Sequence, residues 1–128
     1  MKAPKPVFKK DRTKWKKKAI TEAKRQVRSK FKKCQCCGHE GRQLHGAHII
    51  PVDFEGTAAD KDNILCLCSR CHVHDKNSNH KNPVWFVGWL ETNFPGRKDR
   101  LWEKAKPCTN YSAIGWKEIY DKLEAEND

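Results

Sequence analysis

The chain has 128 residues, 37% hydrophobic and 34% charged, with 27 Lys and Arg against 16 Asp and Glu for a net charge of +11. That length supports one domain rather than two, and the thin apolar supply calls for a cross-link or a structural metal. No apolar run approaches the roughly 20 residues that span a bilayer, and the lysine-rich start lacks the apolar stretch of a secretory signal. No membrane-spanning helix is therefore expected. A reducing cytoplasm is, where seven cysteines point to metal binding instead of disulfides.

Residues 1–33 hold fifteen Lys and Arg against only Asp11 and Glu22, a net of +13, whereas residues 34–128 carry a net of −2. So asymmetric a charge is the footprint of a polyanion partner, most often nucleic acid. Met1 to Asp11, with Pro4 and Pro6, reads as a flexible basic arm. From Arg12 to Lys33 the residues Trp15, Ala19, Ala23, Val27 and Phe31 recur every four positions, a helical stripe that lies on the body while the cations point outward. Cys34 to Gly41 is a turn-rich knuckle, Leu44 to Val52 a short strand limited by Pro51, Asp53 to Asp62 a polar loop, and Ile64 to Leu67 a second strand. A helix is expected from Ser69, then another over Val84 to Asn93 packed through Trp85, Phe86, Trp89 and Leu90. Two more are expected over Asp99 to Lys106 and Ser112 to Glu124. The expected fold class is α+β: a small β-hairpin with helices around it, in a single folding unit.

Two Cys-x-x-Cys pairs stand out, Cys34/Cys37 and Cys68/Cys71. Two intervening residues let both thiolates reach one ion from a tight turn, and two such pairs complete a tetrahedral four-sulfur Zn²⁺ site. The long separation of the pairs would make that ion a clamp between distant parts of the chain. Cys36 could replace Cys34 only with less regular spacing, and Cys36, Cys66 and Cys108 read as incidental thiols.

Between the knuckles the order is His48-Ile49-Ile50-Pro51, then Asn63-Ile64, then Leu67-Cys68-Ser69-Arg70-Cys71-His72. This resembles the HNH endonuclease family, whose pattern is Cys-x-x-Cys, a strand ending His-Ile-x-Pro, a loop, Asn-Leu, and Leu-Cys-x-x-Cys-His. The resemblance implies a ββα-metal core stapled by the four-cysteine zinc site, with residues 1–33 as basic arm and helix and residues 34–128 as the nuclease domain with C-terminal helices. It implies phosphodiester hydrolysis with His48 as general base, Asn63 holding the loop or His48 in register, and His72 as a ligand of a catalytic divalent ion, Mg²⁺ or Mn²⁺.

Many family members carry a metal-binding Asp or His just before the catalytic histidine, where this chain has Ala47. His45 is the nearest substitute, with Gly46 allowing a bulge that brings it to the ion; His74 and Asp53 are alternatives, and His39 and His80 read as loop residues. Over its whole length the chain is also similar to phage recombination endonucleases of the NinG/Rap type, which have a basic helix before the first knuckle and a ligand-type residue three positions before the strand histidine. That similarity implies action on phage DNA, branched intermediates included, in a host cytoplasm. Lys14, Lys16, Lys17, Lys18, Arg25 and Arg28 are expected to hold the DNA backbone without reading bases. Monomer and homodimer both stay open. The rival reading is a non-catalytic, zinc-stabilised DNA-binding protein, favoured by Ala47.

Overall fold

The stripe that begins at Trp15 folds as expected into helix α1, Arg12–Phe31, in the computed structural model, which describes residues 6–41, 43–107 and 110–126. The first five residues of the basic arm and Cys108 lie outside that description. Ala19, Ala23 and Val27 are buried, with Trp15 packed beside them. Small residues on this stripe let α1 lie close to its neighbours. The helix ends at Lys32, whose φ of 62° turns the chain left-handed while its N–H still bonds the Arg28 carbonyl.

Strand β1, Leu44–His48, pairs antiparallel with β2, Ile64–Cys68, in the register Leu44↔Cys68 through His48↔Ile64. β2 contains no polar residue and is buried throughout. One of its faces, Ile64 and Cys66, joins α1 and the last helix around Trp116. The other, Leu65 and Leu67, joins Ala47, Phe86 and Leu90. Covering both faces removes the in–out alternation and explains the continuous apolar run. The outer edge of β2 is covered too. Gln35 donates its N–H to the Cys66 carbonyl and accepts the Cys66 N–H on its side chain, each at 2.8 Å, so the first knuckle lies along the strand.

The connection between the strands contains a one-turn helix α2, Glu55–Ala58, where the sequence predicts only loop. The helix expected from Ser69 is instead a single wide π-type turn, Arg70–His74. Its continuation is cut short because the chain folds back: Asn79 and His80 donate their N–H groups to the carbonyls of Cys71 and His72. Helices α3 (Pro83–Asn93), α4 (Arg97–Ala105) and α5 (Ala113–Glu126) follow close to expectation. The Asn82 side chain caps α3 through the Trp85 N–H, and Pro83 at its first turn needs no donor there. α4 lays Leu101 and Ala105 against Ile50 in a third small cluster. Among the described residues no helix is long and apolar enough to cross a membrane.

Buried Glu55 ties these parts together. Its carboxylate receives Arg12 and, at 3.3 Å, Lys16 from α1, while its other oxygen accepts the Tyr111 N–H at 3.0 Å. Burial raises its pKa, and the hydrogen bonds from Arg12, Tyr111 and Lys16 outweigh that and hold it below the usual carboxylate value.

Candidate metal centre and active site

The sulfurs of Cys34, Cys37, Cys68 and Cys71 all lie within 4.8 Å of one another, with Cys37 and Cys68 3.7 Å apart. Four sulfurs about 2.3 Å from one zinc ion stand about 3.8 Å apart at tetrahedral angles, so this set fits Zn²⁺. The first knuckle is shaped for it. Gly38 takes a φ of 77° and donates to the Cys34 carbonyl, and the Cys37 N–H points at the Cys34 sulfur at 3.4 Å. Hydrogen bonds from Cys71 and its neighbours outweigh burial and bring the Cys68 thiol down to about 7, while burial pushes Cys71 up. Cys34, Cys36, Cys66, Cys68 and Cys71 are free thiols. Cys36 stays outside the four but packs against their cluster, and Cys66 is buried in the other cluster, around Trp116.

His72 follows Cys71 on the π-type turn and faces away from the sulfurs. Its Nδ1 lies 2.9 Å from His45 Nδ1, and its Nε2 lies 3.0 Å from His80 Nε2. Both neighbouring rings meet it nearly edge-on. Burial, then His80 and His45, push the His72 pKa down to about 4, so its ring is neutral and able to donate a lone pair at neutral pH. Burial, then Arg28, His74 and Lys24, lower that of His45 as well.

The strand departs from expectation at Gly46. β1 has no bulge, and His45 reaches His72 from a regular register. What Gly46 provides is clearance: a Cβ there would stand 2.7 Å from Lys24 Cβ and 3.2 Å from its Cα. Ala47 is fully buried among Leu65, Leu67 and Phe86, so no ligand belongs at that position.

His48 closes β1 and points its Nε2 at the Ala58 carbonyl, 2.7 Å away. A carbonyl only accepts, so Nε2 carries the hydrogen and Nδ1 of the neutral ring keeps its lone pair. Burial is the largest influence on this ring and lowers its pKa; the Ala58 carbonyl opposes that and Lys24 adds to it.

Asn63 is fully buried and holds the loop closed at both ends. Its side-chain oxygen accepts the Ile50 N–H at 2.7 Å, and its amide donates to the carbonyls of Ile50 and Thr57. Its backbone carbonyl accepts the Ile49 N–H. Asn63 thus fixes the loop that carries Ala58, and through Ala58 it fixes His48.

The remaining candidates separate clearly. Asp53 and His74 are exposed, and His39 bends onto the Gly41 N–H in its own knuckle. His80, read from the sequence as a loop residue, is a partner of His72. Its approach depends on a backbone fold-back that local spacing does not reveal. Two of the expected DNA-facing cations are committed within the chain, Lys16 to Glu55 and Arg25 to Glu22 at 2.6 Å. A buried carboxylate and an i,i+3 spacing explain those pairings. Lys14 and Lys18 lie over the Trp15 ring, Lys17 is exposed, and Arg28 is half-buried.

Among the described residues the four cysteines are the one group of three or more His, Cys, Asp and Glu side chains close enough to share an ion. The His45–His72 pair would hold an ion by two nitrogens only. Ligand nitrogens about 2.1 Å from an ion stand about 3 Å apart at a right angle, which the pair fits, leaving the other positions to water or substrate. No curated protein and no solved structure matches the chain. Residues 34–78 match the HNH endonuclease family model, a span that opens on the first knuckle thiol, takes in His45, His48, Asn63 and His72, and stops short of His80.

Proposed function

We propose that this chain is a metal-dependent DNA endonuclease of HNH type, with His48 as general base, a catalytic ion held by His45 and His72, and structural zinc in the four-cysteine site. The observation that carries the reading is the anchoring of His48. With Nε2–H engaged by the Ala58 carbonyl, the only lone pair left is at Nδ1, and the depressed pKa keeps it free at neutral pH. Nδ1 takes the proton of a water as the water oxygen bonds to phosphorus and the P–O3′ bond breaks. When bound, the ion supplies positive charge for the phosphate and the leaving 3′-oxygen.

His72 serves the ion through Nδ1, which leaves its hydrogen on Nε2 and makes His80 the acceptor that holds the ring in that tautomer. Two imidazoles favour a nitrogen-accepting ion, so Mn²⁺, Ni²⁺ or Zn²⁺ suits the pair better than Mg²⁺. We extend the proposal to phage DNA, branched intermediates included, in a host cytoplasm, on the sequence pattern alone: a basic helix before the first knuckle and His45 three positions before His48.

Supercoiled plasmid incubated with the zinc-loaded protein and Mn²⁺, Ni²⁺ or Mg²⁺ tests the reading, beside His48→Ala. Nicking by the parent chain and none by the variant is expected. Nicking that survives in His48→Ala, or none with any ion, sinks it. Fully buried Ala47 favours the second reading, a zinc-stabilised DNA-binding protein without catalysis. That reading predicts plasmid binding with no nick.

A further inference from the structure

α1 crosses the strand that carries His45 and His48, and the two chain segments touch where Gly46 has no side chain. Lys24 is the α1 residue at that crossing, and Arg28 follows it one turn later. Both are half-buried, and neither side chain makes a hydrogen bond or ion pair with any described residue. Their neighbours on the same helix differ. Arg12 and Lys16 are spent on Glu55, and Arg25 on Glu22.

The charge of Lys24 is felt at His45, His48 and His72, and that of Arg28 at His45. No Asp or Glu is among the groups acting on those three rings. The histidine site therefore sits beside two cations that form no ion pair with a described residue. Partly desolvated cations without a counter-charge raise the energy of the empty site, and an arriving anion recovers it.

We propose that Lys24 and Arg28 form the binding site for the scissile phosphodiester, holding its non-bridging oxygens over the His45–His72 pair. Lys24 acts as a point charge, and the guanidinium of Arg28 offers a fork that fits two phosphate oxygens. The assignment deepens the nuclease reading and rests on it only for the identity of the phosphate as the one that is cut.

The test measures duplex binding by fluorescence anisotropy across a salt series, with the zinc-loaded protein and no other divalent ion. The parent chain is compared with Lys24→Gln/Arg28→Gln, and with Lys98→Gln, which removes a cation already paired with Asp99. Circular dichroism and bound zinc certify that each variant is folded. Removing one phosphate contact lowers the slope of log K against log salt by about one unit and weakens binding about tenfold at fixed salt, with a smaller change for Lys98→Gln. With a catalytic ion added, kcat falls about tenfold or more, because charge on the phosphate grows towards the transition state.

A folded double variant that keeps the parent slope and kcat overturns the proposal while leaving the nuclease reading intact. A parent chain that never nicks, but whose slope still flattens in the double variant, overturns the nuclease reading and retains the phosphate site.

Discussion

At the scale of single residues, the His48 ring makes a prediction whose sign follows from its surroundings. Burial and Lys24 depress its pKa, so the base form persists below the ordinary histidine value of about 6.5. Plasmid nicking should therefore be on a plateau at pH 7 and fall to half only below about pH 6.5, as Nδ1 becomes protonated. A half-maximum above pH 7 contradicts that assignment. The same depression means that His48 favours folding above its unfolded pKa and loses that contribution as pH falls through the folded one. Asn63 offers a second prediction at this scale. Asn63→Ala strands the Ile50 N–H and the Ile50 and Thr57 carbonyls in a buried place, at a cost of about 1–3 kcal/mol for each group left without a partner. Urea unfolding should show the loss, and a variant as stable as the parent would remove Asn63 from its role as the loop's fastening.

At the scale of elements, the meeting of α1 with β1 turns on Gly46. Gly46→Ala pushes a methyl group into the Lys24 stem and backbone, an overpacking worth about 1–3 kcal/mol. Thermal melting should fall while the zinc content stays at the parent value. An unchanged melt shows that the helix does not depend on this close approach. This crossing also marks what could be read in advance. The four clustered thiols were legible because two Cys-x-x-Cys pairs carry a metal-site spacing, whereas His48, Asn63 and His72 were singled out by resemblance to the HNH pattern, and the apolar stripes placed α1, α3 and β2. Lys24 was not, being one of fifteen cations before the first knuckle with no mark until the fold sets it against Gly46. Nor was Glu55, whose three partners come from residues 12, 16 and 111. Gly46 was read as the seat of a bulge because a lone glycine in a strand admits two meanings, and only packing chooses between them.

At the scale of the whole molecule, the four-cysteine site joins the knuckle after α1 to the end of β2, and with them the turn that carries His72. Zinc binding and folding are coupled in such sites, so strong chelation should lower the melting temperature by at least about 10 °C in calorimetry. An unchanged melt after verified zinc loss contradicts the clamp. The charge asymmetry also changes meaning once folded. The greater part of the basic segment is helix α1, Arg12–Phe31, laid across the candidate active site, with some of its cations spent on internal carboxylates and others left for a ligand.

The Glu55 contact has a consequence in time as well as in space. Translation delivers Arg12 early and Tyr111 nearly a hundred residues later, and the Glu55 carboxylate is bonded to both. The zinc clamp closes a far shorter span of chain and has all its ligands once Cys71 has emerged. The Asn63 bonds that fasten the loop beneath His48 are likewise complete by residue 63, so the Glu55 contact is the last of the three to close and braces a loop already pinned at its base.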